Sequence, residues 1–292
     1  MKKKIALLLT LSLTTAAFGM TATGCESSSD DAADQATSTE AVSSQEEQTS
    51  TIDVSDVKFI SDGVITMGCD ANYPPFETIA EDGTTPIGFD VDVMTEVANR
   101  LGLELNVVNT GWDGIFEGID VNYDVVCSGV TITEERKESM LFSDSYITNY
   151  QTVVVPTGSD LTFESLNDLD GKTIAVQKET TSDLVMSDMK STKTIDVNIV
   201  QNEKVTACFT QLTNGEIDAV VCDSSVADSY VASQGDKYQI AYEDKEEPEV
   251  FGIAMGMDNT KLQAAINQAL ADMEADGWLE ETRNYWFGSD AE

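Results

Sequence analysis

Histidine is absent from all 292 residues. That absence excludes Ser-His-Asp and Cys-His nucleophile pairs and every histidine-ligated metal centre. The chain also lacks a phosphate-cradling GxxxxGK loop and a dinucleotide-binding GxGxxG run. Arginine is confined to Arg100, Arg136 and Arg283. Only 16 basic residues stand against 53 acidic ones, a net charge of −37. Such a surface repels phosphate backbones, so no nucleic-acid partner is expected. No catalytic set, metal site or cofactor motif emerges, and binding is a simpler expectation than catalysis. What is present suits a folded protein: 41% of residues are hydrophobic, and the length allows one large domain or two modest ones.

The first residues read as an export signal. Lys2, Lys3 and Lys4 precede an apolar run from Ile5 to Met20, followed by small residues up to Gly24 and Cys25. The run is short and threonine-rich for a membrane span. Its end resembles the bacterial lipobox, in which the cysteine is lipidated and becomes the mature N-terminus. Ala22 stands where that motif usually has leucine; the alternative is a plain secretory signal with Cys25 incidental. Residues 1–24 are thus expected to be a signal peptide. Residues 25–55 are expected to be a lipidated cysteine and its tether. Glu26 to Thr51 has no aromatic residue and is rich in Ser, Thr, Asp and Glu. It cannot bury enough apolar surface to offset its ordering entropy, and it suits a flexible spacer.

From Val64 onward, strand-like and helix-like segments alternate. Asp90 to Leu101 places Met94, Val97, Ala98 and Leu101 on one face, with Gly102 as a stop. Leu103 to Val108 reads as a strand, Trp112 to Ile119 as a helix and Tyr123 to Cys127 as a strand. Thr131 to Glu138 begins a helix, with Thr133 as N-cap. Gln151–Val155, Lys172–Gln177, Thr194–Val200, Ile217–Cys222 and Tyr238–Tyr242 read as further strands, separated by helices. Phe251 to Met257 reads as one last strand, followed by helices at 261–274 and 278–286. The alternation predicts α/β architecture in two lobes, with parallel sheets and helices on both faces. Residues 56–148 plus 250–292 form lobe 1 and 149–249 lobe 2, with hinges near 146–151 and 247–251. Ligands of such sheets bind beyond the carboxyl ends of the strands.

Cys69, Cys127, Cys208 and Cys222 show no metal-ligand spacing and are expected as small buried hydrophobes. An exported chain allows disulfides, but spacing leaves their pairing open. Arg136 follows a strand at the start of a helix, where its planar guanidinium could bind a carboxylate bidentately. Among Glu134, Glu135 and Glu138, it reads equally well as a surface residue. Glu77, Glu96, Glu117 and Asp120 are expected on solvated faces.

Gly88-Phe89-Asp90-Val91-Asp92-Val93, followed by Val97, Ala98 and Leu101, resembles the signature of the bacterial family 3 solute-binding proteins, the amino-acid receptors of ABC importers. Further motifs agree in order and spacing: CDANYPPFE (69–77), GWDGIFEGI (111–119), the run from 123 to 146, LNDLDGKTIAVQKETTS (166–182), NGEIDAVVCD (214–223) and DGWLEETRNYWFG (276–288). The resemblance runs from about Val64 to Gly288. It implies an α/β fold of the periplasmic-binding-protein-like type II, two Rossmann-like lobes with a hinge and an interlobe ligand cleft. It implies a free amino acid as ligand, the permease of an ABC transporter as partner, and a monomer anchored through Cys25 on the outer face of the cell membrane.

By that resemblance Arg136 pairs with the ligand α-carboxylate, helped by the N–H groups of Thr131 and Thr181. Asp223 receives the α-ammonium, with the Gly129 carbonyl and the Thr131 hydroxyl assisting. Asp70, Ser128 and Gln177 match side-chain contacts. Tyr73 and Trp112 match aromatic pocket positions. Phe76 matches one as well, although core packing suits it better. A basic or polar amino acid is implied. Glu179 stands where relatives often have glycine, so the backbone beside Thr181 is expected to differ. Some relatives are cyclohexadienyl dehydratases, which makes an enzyme on the same fold the alternative, with Asp70 or Glu179 as acid. A fused sensor is disfavoured because no span or output domain follows Gly288, but signalling through a separate receptor stays open.

Overall fold

The computed structural model describes residues 52–288. The signal segment, Cys25 and nearly all of the tether therefore lie outside the described residues. In chain order the elements are β1 (Val64–Cys69), β2 (Thr78–Ile79), β3 (Pro86–Ile87), α1 (Phe89–Leu101), β4 (Glu104–Asn109), β5 (Val125–Val126), α2 (Glu134–Lys137), β6 (Leu141–Phe142) and β7 (Ile147–Asn149). Then come β8 (Gln151–Pro156), β9 (Thr173–Gln177), α3 (Thr181–Ser191), β10 (Asn198–Asn202), α4 (Val205–Asn214), β11 (Ala219–Asp223), α5 (Ser224–Gln234) and β12 (Tyr238–Glu243). The chain returns through β13 (Glu249–Phe251), β14 (Ala254–Met255), α6 (Thr260–Ala275) and α7 (Trp278–Phe287).

Two five-stranded sheets organise two α/β lobes. One has the order β4-β1-β5-β14-β6, the other β10-β9-β11-β8-β12. Between them β7 and β13 form a two-stranded antiparallel ladder, with Glu249 opposite Asn149 and Phe251 opposite Ile147. Both chain crossings thus run side by side. The sheets are mixed, not parallel as the alternation predicts. β1, β4 and β5 run parallel, as do β9, β10 and β11. In the first lobe β14 runs antiparallel to β5 and β6. In the second lobe β8 runs antiparallel to β11 and β12. β8 and β14 each follow directly from a crossing without a preceding helix, so nothing forces them into the parallel direction.

The central strands are mostly apolar because helices cover both faces. β11 is wholly buried, and β1 nearly so. Helix α1 buries Val93, Met94, Val97, Ala98 and Leu101, the larger of which contribute roughly 1.5–3 kcal/mol each. Its acids Asp90 and Asp92 sit in the first turn, and Gly102 closes it in the left-handed conformation.

Four local expectations change. Trp112–Ile119 is a single 3₁₀ turn over Ile115–Gly118, because Gly114 takes a left-handed φ of 75° at its start. The helix expected from Thr131 shrinks to the four residues of α2. The strand expected over Thr194–Val200 shifts to β10, since Lys193 turns with φ 60°. Ile195 and Val197 still reach the core, but from the connecting loop. Phe251–Met257 splits at Gly252, whose N–H donates to the Val130 carbonyl at 3.0 Å. Its first part joins the crossing ladder and its second the lobe sheet. Glu77, expected on the surface, is 0% exposed, while Glu117 and Asp120 are exposed and Glu96 is half-buried. The four described cysteines are buried and free.

Candidate functional site

The strand ends of both lobes converge on one narrow cleft. β1 ends at Cys69 and delivers Asp70 and Tyr73. The loop after β5 delivers Ser128, Gly129 and Thr131, and α2 carries Arg136. From the other lobe come Gln177 at the end of β9, Thr180 and Thr181 at the start of α3, and Asp223 at the end of β11. With Trp112, these eleven residues line the cavity. Ten of them were singled out from the sequence. Phe76 is not a lining residue: it is fully buried among Phe89, Phe251 and Phe287, and its ring stacks on Tyr73 at 6.1 Å.

Arg136 is positioned by its short helix. Its backbone N–H donates to the Thr133 hydroxyl at 3.1 Å, the expected N-cap. Its guanidinium donates to the Thr131 carbonyl at 2.9 Å and, across the cleft, to the Glu179 carbonyl at 3.5 Å. It lies over Trp112 and Phe116, 5.5 and 5.3 Å from the ring centroids. Burial pulls Arg136 below its ordinary value, opposed by Glu249 and Asp223. A guanidinium nevertheless stays protonated in proteins.

Asp223 is the anionic counterpart. It accepts from Asn149 Nδ2 at 2.7 Å and from the Tyr73 hydroxyl. Tyr73 belongs to the first lobe and Asp223 to the second, so this bond closes the cleft. Burial, then the nearby Glu249 carboxylate, push Asp223 up to about 7, against the pull of Tyr73, Asn149 and Arg136. Gln177 Nε2 donates to Asp70 Oδ2 at 3.0 Å, another contact across the cleft. At the rim Lys178 pairs with Asp113 at 3.1 Å.

The floor rests on Asp90 of the glycine-led motif. Its Oδ2 accepts the Gly129 N–H at 2.7 Å and its Oδ1 the Tyr146 hydroxyl at 2.9 Å. One buried carboxylate thereby joins the cleft loop to the crossing. Burial raises Asp90 to about 7. It raises Glu77 well above the usual carboxylate range too, with Asp90 adding to the effect.

Glu179 has φ 63°, the left-handed region in which a side chain costs roughly 1–2 kcal/mol and glycine nothing. That is the physical reason a glycine suits this place. The backbone conformation there is one that glycine takes freely, and the Glu179 N–H is held by Asp183 Oδ2 at 2.9 Å.

Two residues escaped sequence reasoning. Thr180 caps α3 through Asp183, with its hydroxyl accepting the Asp183 N–H at 3.3 Å. A threonine three residues before an acid was the available signal. Glu249 was lost in an acidic run. Period-two alternation was its signal: Val250 is 36% exposed and Phe251 fully buried, so Glu249 faces inward with Phe251.

Two α/β lobes joined by a two-stranded ladder, with a guanidinium and a carboxylate lining the cleft between them, have the architecture of a cleft-binding protein. Comparison with known proteins agrees. Residues 65–289 match the model of the bacterial extracellular solute-binding proteins, family 3. The L-cystine-binding protein TcyJ of Escherichia coli (strain K12) is 31% identical over 229 residues, covering 78% of this chain and 84% of the relative. A mutant of ArgBP from T. maritima superposes with TM-score 0.71 at 37% identity, covering 77% of this chain and 95% of that one. An ancestral arginine-binding protein bound to glutamine gives TM-score 0.72 at 34% identity, covering 78% and 99%. The chain belongs to the bacterial extracellular solute-binding proteins, family 3. It is a binding protein that works outside the cytoplasm, and not an enzyme.

Proposed function

We propose that the chain captures a free L-amino acid by lobe closure and delivers it to the permease of an amino-acid ABC importer. One observation carries this: Arg136 of one lobe and Asp223 of the other line the same small cleft. A zwitterion needs a cationic and an anionic clamp, each satisfied where water is scarce. Since the two clamps belong to different lobes, neither lobe completes the site alone, and binding is coupled to closure. The lobes are residues 56–148 plus 250–292 and residues 149–249, hinged at the β7–β13 ladder.

In this reading Arg136 and the N–H groups of Thr131 and Thr181 hold the α-carboxylate. The N-terminus of α3 favours an anion there. Asp223, the Gly129 carbonyl and the Thr131 hydroxyl hold the α-ammonium. Asp70, Ser128 and Gln177 receive the side chain between the faces of Tyr73 and Trp112. Gln177 Oε1 is buried without a hydrogen-bond partner, so a side chain that donates satisfies it. Together with Asp70 this favours a polar, in particular a cationic, amino acid. Residues 1–24 act as the export signal, and Cys25 carries the lipid that anchors a monomer. Among the described residues no helix is long and apolar enough to cross a membrane.

The test is thermal denaturation of the ligand-stripped domain against the twenty amino acids plus ornithine, citrulline and cystine. Binding to the native state alone raises Tm, by about 2.7 kcal/mol of stability at a hundredfold excess over Kd. One chemical group should stabilise; no shift with any compound sinks the reading.

The Asp223 carboxyl supplies a pH signature. Its proton must leave before it can pair with an ammonium. With its value raised to about 7 in the free protein, Kd should be level above about pH 8 and weaken by up to tenfold per unit below pH 7. Calorimetry in buffers of different ionisation enthalpy should show proton release on binding near neutrality. A Kd that stays flat from about pH 5.5 to 8.5 contradicts the assignment of Asp223 to the ammonium. In the free protein the sign is opposite: a raised carboxyl stabilises the fold at low pH. That contribution is lost as pH rises from the unfolded value through about 7.

A further inference from the structure

The crossing strand β13 places a carboxylate directly behind the cleft. Glu249 Oε2 accepts the hydroxyl of Thr131 from one lobe at 2.9 Å and the hydroxyl of Thr181 from the other at 2.9 Å. Its Oε1 accepts Gln151 Nε2 at 2.9 Å. The same Nε2 donates to the Thr181 oxygen at 3.1 Å, and Gln151 Oε1 accepts the Ser182 hydroxyl at 2.6 Å. Gln151 turns its NH2 to Glu249 and Thr181 and its oxygen to Ser182, so the direction of every bond follows. An ionised carboxylate only accepts, and a hydroxyl has a single proton to give.

That single proton decides what the threonines can offer. With it committed to Glu249, the Thr131 and Thr181 hydroxyls cannot donate into the cleft. The Thr181 oxygen already accepts from Gln151, whereas both lone pairs of the Thr131 hydroxyl are without a donor from the described residues. We propose that Glu249 is a positioning residue that sets the donor–acceptor polarity of the cleft. It turns the Thr131 oxygen into an acceptor for the ligand's ammonium and leaves the carboxylate to Arg136 and backbone N–H groups. Glu249 also places a second negative charge beside Asp223, which reinforces the preference for a cation at that end. This inference rests on the amino-acid reading of the cleft.

Glu249→Gln tests it. The amide replaces one of the two acceptor oxygens by an NH2 donor, so Thr131, Thr181 and Gln151 no longer all find acceptors on this side chain, and a threonine proton turned away by the NH2 is released toward the cleft. The probes are L-arginine, L-glutamine, L-histidine and L-cystine, each compared by calorimetry with the same acid lacking its α-amino group. In the native protein removal of the amino group should weaken binding by about 100-fold, the loss for a buried charge left unpaired. In Glu249→Gln this ratio should fall about tenfold, with the amino-free acids bound within about threefold of native. Thr131→Val, which deletes the acceptor and keeps the shape, should lower the ratio similarly. The double variant should lose no more than either single one, since both remove one interaction. A Glu249→Gln protein that weakens both members of each pair alike shows a merely structural role and overturns the proposal. So does Thr131→Val with a native ratio. If the native protein binds none of the four amino acids, the polar amino-acid reading fails and takes this proposal with it.

Discussion

Arg136→Ala is expected to weaken amino-acid binding by about 10²–10⁴-fold. The substitution leaves the ligand carboxylate enclosed without its cation, and breaking a buried pair from one side costs roughly 3–5 kcal/mol. The guanidinium also spans the cleft, from the Thr131 carbonyl to the Glu179 carbonyl, so the variant loses a contact that closure forms. Arg136→Lys separates charge from geometry. It keeps the cation but not the planar fork, and a loss of about tenfold is expected. The ligand-free protein should change little in Tm, because its Arg136 contacts are two carbonyl bonds and two ring faces at the cleft edge. Calorimetric titration with the stabilising amino acid measures the effect. A Kd for Arg136→Ala within about threefold of native removes Arg136 from the site.

Gly88→Ala should be strongly destabilising. Gly88 has φ 148°, and an added Cβ would lie 2.0 Å from the Phe76 carbonyl oxygen and 2.8 Å from the Glu77 Cα. Both obstacles are backbone, held in place by N–H bonds from Phe89 to Pro75 and from Asp90 to Phe76. Relief requires α1 to withdraw from the segment that carries Tyr73. A loss of about 4 kcal/mol or more is expected, a fall in Tm of about 10–15 °C for a domain of this size. Gly63→Ala is the control. It has φ 76°, but nothing lies within 4 Å of its added Cβ, so it should cost only about 1–2 kcal/mol. Equal melting temperatures for the two variants would show that the clash is not the cause.

Much of the site was legible through its resemblance to the family's motifs, and the structure shows why those motifs lie where they do. Asp70, Ser128, Gln177 and Asp223 each follow a short apolar run, and such ends gather on one side of an α/β sheet whatever the details. Phe76 shows the limit. It lies three residues from Tyr73 in the same motif, yet it packs on Phe89, Phe251 and Phe287 while Tyr73 reaches Asp223. Adjacency in a motif does not say which aromatic turns inward. Glu77 failed for a similar reason: charge predicts solvent, but its neighbour Asp90 shares the same buried pocket behind the cleft.

By itself the amino-acid sequence determined the two-lobed α/β class, the positions of most helices and ten of the eleven cleft residues. The class and the helices follow from periodicity and residue chemistry, which act over a few neighbours, whereas the cleft residues follow from their match to the family's motifs. Only the tertiary structure decided the antiparallel direction of β8 and β14, the division of one apolar run between two ladders, and the role of Glu249. Each of these depends on partners far apart in the chain: Glu249 meets Thr131 118 residues away and Thr181 68 residues away. Local patterns carry no record of such distant pairings, because the free energy that selects them arises only when the lobes come together.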